Sequence, residues 1–213
     1  MDEIIGNAAL LIIDMQHDFL DEGAPIPCVD GPRIIPGIRQ LAAAARRANI
    51  PVIYTQEVHR PSRIDFGREL DGAEDLHCID GSHGVQIVPD LQPQPGDILV
   101  RKPRYSAFLG TDLPFVLNGV GVRAGDTLIL TGVATDVCVH YTAADAHQYD
   151  YRVRIVTDCV AGTSPEAHAA SLRAIEYLQA HSLTTLERML AALERMRAPQ
   201  ASSARARGAT GQW

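Results

Sequence analysis

Three residues of this chain combine type and position in a way that could support covalent chemistry: Asp14, Lys102 and Cys138. A cysteine attacks as its thiolate, which a helix N-terminus and a nearby cation stabilise. A carboxylate beside it can take the thiol proton and later return it to a leaving amine. An ammonium can hold both partners in place. Backbone N–H groups of the Gly132–Val133–Ala134 turn and of Cys138 are placed to bind a developing oxyanion. This set suits nucleophilic cleavage of a small acyl compound.

Each residue type also has an ordinary use. A cysteine near a sheet is most often a small core residue, and an acid after a strand often caps a helix. Composition singles out the lysine, because among 19 basic side chains Lys102 is the only one that is not arginine. The two differ where a tight site needs a compact point charge. Chance retention of one surface lysine is the competing reading. Cys28, Cys78, Cys138 and Cys159 form no C-x-x-C pair, and in a reducing compartment all four are expected as thiols. Cys159, near the end of a strand-like run, is the strongest competitor for the nucleophile.

The chain alternates apolar runs with helical patterns. AALLII (8–13) reads as a parallel strand buried on both faces. Further strands are expected at 51–55, 97–101, 127–131 and 152–156, with a short one at 85–88. Helices are expected at Pro36 to Arg47, 112–120, about 136–149, 165–179 and 185–196. The alternation predicts an α/β fold, a single-domain three-layer αβα sandwich with a mostly parallel, doubly wound sheet. The domain is expected to span 1–197, with 198–213 a frayed, low-complexity tail. GVGVRAG (119–125) follows a helix and precedes a strand, the reverse of a dinucleotide-binding turn, and reads as a plain turn. In open α/β sheets ligands bind beyond the carboxyl ends of the strands. Asp14, Lys102 and Cys138 follow three different strands at that edge, so the fold can bring them to one mouth.

The 213 residues suffice for one sizeable core, and 46 % hydrophobic with 21 % charged residues is ordinary globular usage. A net charge of −7 argues against a general nucleic-acid or anionic-membrane surface. No apolar run approaches the roughly 18 residues of a membrane span. MDEIIGNAAL places acids where a signal peptide would be basic. The expectation is a cytoplasmic protein that acts on a small molecule, with neither nucleic acid nor membrane as partner.

LLIIDMQHDF (10–19), RKPRYSAF (101–108) and TGVATDVCVHYTAADAHQYDYRVRIVTDC (131–159) together resemble the isochorismatase-like cysteine hydrolases, over about residues 8–181. The resemblance implies a catalytic triad of Asp14, Lys102 and Cys138. It implies an oxyanion hole at Ala134 and Cys138, with a cis peptide between Val133 and Ala134. Amide cleavage would pass through a thioester and release ammonia or an amine. No cofactor is expected, and a homodimer or homotetramer is.

Substrate choice would fall to the loop at 57–84. Glu57, His59 and Arg60 suit a small polar amide or ureido substrate. Phe19, Tyr105 and Phe108 are candidate pocket walls, and Thr135, in the nucleophile's turn, is a further candidate contact. The loop and RKPRYSAF look closest to biuret- or triuret-type ureido amidohydrolases. Nicotinamidases of this family carry Asp-x-His and a later His that hold a metal. Here Glu57-Val58-His59 and His77 stand at those places, with Glu for Asp, so no metal is expected and a metal-containing nicotinamidase is the alternative. A magnesium-dependent phosphoryl-transfer site would want an acid where Gln16 stands. A non-catalytic binding module would have no need of an intact triad.

Overall fold

The first strand, β1 (Ala8–Ile13), is buried along its whole length. Side chains alternate between the faces of a strand, so a run that is apolar throughout must be covered on both sides. Leu10 and Ile12 join one apolar cluster, and Ala9, Leu11 and Ile13 join another. The computed structural model describes residues 3–197, and the expected tail at 198–213 lies outside the described residues.

On one side of β1 lie β2 (Val52–Glu57) and then β3 (Ile98–Lys102). On the other lie β4 (Thr127–Val133), β5 (Arg152–Ala161) and β6 (Leu183–Thr184), and every pairing is parallel. The chain winds outward from β1, returns to the centre for β4 and winds outward again. The reversal between β1 and β4 leaves a crevice beyond their carboxyl ends.

Six α-helices accompany the strands: α1 (His17–Leu20), α2 (Gly31–Arg47), α3 (Leu113–Gly119), α4 (Cys138–Gln148), α5 (Pro165–Leu178) and α6 (Leu186–Arg197). Ile38 and Leu41 of α2 and Met189 and Leu193 of α6 cover the face of Leu10 and Ile12. Leu117 of α3, Val139 and Ala143 of α4 and Ile175 of α5 cover the opposite face. The three-layer, doubly wound α/β arrangement is the one expected from the sequence. No helix among the described residues is long and apolar enough to cross a membrane.

Several local expectations are corrected. Residues 85–88 form no strand; only an isolated bridge joins Ile87 to Gln16. The Val85 carbonyl is instead taken by the side chains of Gln16 and Gln56, and Pro89 follows directly. Helix α2 begins at Gly31, with Pro32 in its first turn and Pro36 inside it. Burying the stripe Ile34, Ile38, Leu41, Ala42 and Ala45 outweighs the one bond a proline removes. Strand β5 continues to Ala161, past a register shift against β4 between Leu130 and Gly132. Strand β6, two residues long, carries no readable alternation.

Gly132 sits where β4 ends against β1. Its φ is +105°, and a Cβ there would lie 2.0 Å from the Ile13 carbonyl oxygen and 2.7 Å from the Ile13 nitrogen. Both are backbone atoms of a central strand and cannot step aside. Gly132→Ala is expected to destabilise the fold by about 3 kcal/mol or more, read as a lowered urea midpoint. Gly119→Ala, where a Cβ meets nothing within 4 Å, should stay within about 0.5 kcal/mol of the parent. Equal effects of the two would overturn this account.

Candidate active site

Lys102 ends β3 and is 1 % exposed, so its charge must be met inside the protein. Its Nζ lies 2.7 Å from Asp14 Oδ2 and 2.9 Å from Glu57 Oε2, and donates to the Arg104 carbonyl at 2.9 Å. An ammonium has three hydrogens, and they serve Glu57 Oε2, the Arg104 carbonyl and, at 3.4 Å, Cys138 Sγ, while Asp14 Oδ2 is met as an ion pair. Lys102 therefore acts on the thiol both as a hydrogen-bond donor and as a nearby charge. Its proton is held well: burial alone would lower its pKa, but Asp14, Cys138 and Glu57 raise it well above the usual lysine value.

Asp14 follows β1 and is wholly buried, with φ of 50°. The Thr55 hydroxyl donates to its Oδ1 at 2.7 Å. Burial raises its pKa, with Lys102 opposing. Cys138 opens α4 beyond the end of β4. The thiol, Asp14 and Glu57 have side-chain atoms within 4.8 Å of one another, and the thiol donates to Glu57 Oε2 at 3.4 Å. Two carboxylates flank the sulfur where one was expected. Burial raises the Cys138 pKa well above the ordinary thiol value, Lys102 opposes, and Asp14 and Glu57 push it further. These surroundings favour the protonated thiol and oppose the stabilisation that a helix start gives a thiolate.

The peptide between Val133 and Ala134 is cis. Among the described residues no backbone carbonyl accepts from the N–H of Ala134 or of Cys138. Both are free to face an oxyanion. Cys159, the competing thiol, is fully buried in the opposite apolar layer against Gly37, with its pKa pushed up to about 12 by burial and Asp158.

Glu57 ends β2 and joins the triad to a second cluster. Its Oε1 lies 2.9 Å from His77 Nε2 and 3.3 Å from His59 Nε2, and His59 Nε2 lies 3.3 Å from Glu69 Oε2. Burial would raise the Glu57 pKa, but Lys102 and the two histidines bring it well below the usual value. Gln16 fixes its backbone, accepting from the Glu57 N–H at 2.8 Å and donating to the Glu57 carbonyl at 2.9 Å. Three carboxylates (Asp14, Glu57, Glu69) thus face Lys102, His59, His77 and Arg104 in one group.

Glu57, His59, Glu69 and His77 also offer four donor atoms within 4.8 Å of one another, all from buried residues. Two imidazole nitrogens and two carboxylate oxygens form a set that suits a zinc-class cation. The His77 Nδ1 donates to the Asp75 carbonyl at 2.7 Å, the orientation that turns Nε2 inward. Among the described residues Glu69 Oε2 and His59 Nδ1 have no hydrogen-bond partner, and the Glu69 Oε2 contact with His59 Nε2 is an ion pair only. The residues fit the metal that the nicotinamidase resemblance implies, with Glu69 as a donor the Asp-x-His comparison did not foresee.

The thiol faces a narrow cavity of about 20 Å³, room for roughly one water. Phe19, Ile26, Glu74, Tyr105, Val137 and Thr163 line it beside Glu57, His77 and Ala134. It adjoins a vestibule of about 550 Å³ walled by Pro25, Pro27, Arg68, Glu69 and Asp136. Of the expected contacts, Phe19, Glu57 and Tyr105 line the cavity. His59 is wholly buried behind Glu57, stacked on Phe66 at 3.8 Å. Arg60 is exposed, beside Asp65, over a separate pocket on the far side of Lys102. Phe108 packs against Tyr149 and Tyr151, and the buried Thr135 hydroxyl lies 2.9 Å from His168 Nδ1. These last three side chains do not reach the cavity. Thr55, Gln16 and Glu74 were missed; only Gln16, a polar residue after an apolar strand, gave any signal.

Burial would lower the pKa of His59, but its bonds to Glu57 and Glu69 raise it from 6.5 to about 9. A raised folded-state value stabilises the fold fully below about 6.5, and that contribution is lost as pH rises through about 9. In chelator-treated protein, the gap in melting temperature between the parent and His59→Gln should be widest near pH 6 and close towards pH 10. A gap that widens with pH would contradict the assignment.

Residues 8–187 match the Isochorismatase domain family. A protein of Arabidopsis thaliana named a probable inactive nicotinamidase is 35 % identical over 172 residues, covering 78 % of this chain and 86 % of its own. The ureidoacrylate amidohydrolase RutB of Pseudomonas syringae pv. syringae is 33 % identical over 194 residues, covering 80 % of this chain and 78 % of its own. The crystal structure of an isochorismatase-like hydrolase from Alkaliphilus metalliredigens superposes with a TM-score of 0.79 at 34 % identity, over 88 % of this chain and 99 % of that one. Matched span, identity and fold agree: this chain belongs to the isochorismatase family of hydrolases.

Proposed function

We propose that the chain is a cysteine-dependent amidohydrolase that cleaves a C–N bond of a small ureido or carbamoyl compound, of biuret, triuret or N-carbamoyl amino acid type, and releases ammonia. The observation that carries this reading is the buried Lys102 ammonium, which ties two carboxylates beside the Cys138 thiol.

The environments of the two carboxylates divide their work. Asp14, raised by burial, is the better proton acceptor. Glu57, held low by Lys102 and the histidines, accepts the S–H hydrogen bond and orients the sulfur. Asp14 takes the thiol proton as Sγ attacks the carbonyl carbon, and the oxyanion is met by the N–H groups of Ala134 and Cys138. The C–N bond breaks, the Asp14 proton passes to the departing nitrogen, and ammonia leaves a thioester. Water, giving a proton to Asp14, attacks the thioester; the C–S bond breaks and the proton returns to the thiolate. Lys102 stays an ammonium throughout.

Ammonia release should be measured on biuret, triuret, N-carbamoylsarcosine, ureidoacrylate and nicotinamide. A ureido compound is expected to turn over, with kcat lowered roughly 10⁴-fold or more in Cys138→Ala. Lys102→Arg, which puts a planar fork where three oxygens and a sulfur converge on one nitrogen, should lose at least roughly 10²-fold. Full activity in Cys138→Ala would sink the proposal.

The four-donor cluster favours a second reading, a metal-containing amidase of nicotinamidase type. Glu57, His59, Glu69 and His77 would hold a cation whose charge could anchor or polarise a substrate atom in the cavity. Release of ammonia from nicotinamide alone, lost on chelation and restored by zinc, would select it. No turnover on the whole panel, with Cys138 unreactive toward a thiol reagent, would point to a non-catalytic binding protein.

A further inference from the structure

We infer that Glu74 makes this site selective for substrates whose end distant from the scissile carbonyl is an uncharged hydrogen-bond donor, against ureides that carry a carboxylate there, which narrows the proposed substrates to the biuret and triuret type and away from N-carbamoyl amino acids. The inference rests on the amidohydrolase reading for its substrate class and on the cavity walls for its charge preference.

Glu74 lines both the thiol's cavity and the vestibule outside it, so a molecule reaching Cys138 must pass this carboxylate. Its Oε2 accepts a hydrogen bond from the Tyr105 hydroxyl at 2.9 Å, and the Tyr105 ring is stacked on Tyr141 at 5.7 Å. The carboxylate is therefore held in place. Among the described residues no lysine, arginine or histidine forms an ion pair with it, in contrast to Glu57 and Glu69. Oε1 remains an acceptor for whatever enters.

Apart from the N–H groups of Ala134 and Cys138 beside the thiol, the rest of the wall offers an anion little. Lys102 is committed to Asp14, Glu57, the Arg104 carbonyl and Cys138, and His77 to Glu57 and the Asp75 carbonyl. Arg68, the one arginine at the vestibule among the described residues, is 92 % exposed and turned to Asp71 at 2.7 Å. Asp136 accepts from Thr163 at 2.5 Å and adds further negative charge to the rim. A substrate carboxylate would enter beside Glu74 with no buried cation to meet it. A terminal amide or ureido N–H would find an acceptor already oriented.

The test is binding, kept apart from turnover by the Cys138→Ala protein. Calorimetric titrations would compare N-carbamoylglycinamide with N-carbamoylglycine, a pair differing only in amide against carboxylate. The amide should bind at least tenfold more tightly. Adding Glu74→Gln should shrink that preference to less than threefold, mainly through tighter binding of the acid. Equal binding of the pair, no binding of the amide, or a preference unmoved by Glu74→Gln would each overturn the inference. The amide–acid comparison needs no change at Glu74, so it stands even if that variant folds poorly. If the charge preference holds while the parent releases no ammonia from any ureide, the amidohydrolase reading fails and the selectivity of the cavity survives it.

Discussion

The structure depends on one buried charge. Lys102 Nζ draws oxygens from Asp14 after β1, Glu57 at the end of β2 and the Arg104 carbonyl to a single point. Each ion would cost several kcal/mol to bury alone, and removing one partner from such a group costs about 3–5 kcal/mol because the other is left uncompensated. Glu57 and Lys102 are also register partners in the β2–β3 ladder. A slip of one residue would send one side chain to the opposite face and strand a charge in the apolar layer. Sheet register and site geometry are thus the same constraint, and a lysine meets it where an arginine fork could not.

That constraint sets the chemistry. Two carboxylates close to one ammonium cannot titrate alike, and their second neighbours separate them. Asp14 has a threonine hydroxyl, while Glu57 has two imidazoles and a backbone fixed by Gln16. The group with fewer donors keeps more affinity for a proton, which in the proposed mechanism makes it the base; the other is a fixed acceptor. A protonated thiol suits that mechanism, because it supplies the proton that a leaving nitrogen needs.

Much of this was legible in the sequence, for physical reasons. A both-faces-buried strand such as AALLII must sit mid-sheet, and residues after such strands must share one edge. That reasoning, with the single lysine, places Asp14, Lys102 and Cys138 together before any coordinates. Contacts made across loops were not legible. Glu57 read as a substrate contact because nothing local says that His59, His77 and Lys102 converge on it. Thr135 and Phe108 looked functional from proximity in sequence, yet one side chain turns to His168 and the other to Tyr149. A residue next to a nucleophile in the chain still points where its own backbone directs it. Residues 85–88 had the composition of a strand but no partner strand to pair with.

The same distinction separates catalysis from selection. Asp14, Glu57, Lys102 and Cys138 sit at the ends of β1, β2 and β3 or at the start of α4, where little can move without leaving a buried charge uncompensated. Glu74, Tyr105 and Ile26 come from connecting segments that touch the cavity without carrying the sheet. A change in the first group is felt by the whole fold, whereas a change in the second alters only what the cavity meets. On the proposed reading, the nucleophile and its acid and base can therefore stay constant while the charge of one loop residue changes the substrate. On that reading Asp14, Lys102 and Cys138 set the reaction type, and the 57–84 loop has to be read, residue by residue, for the substrate.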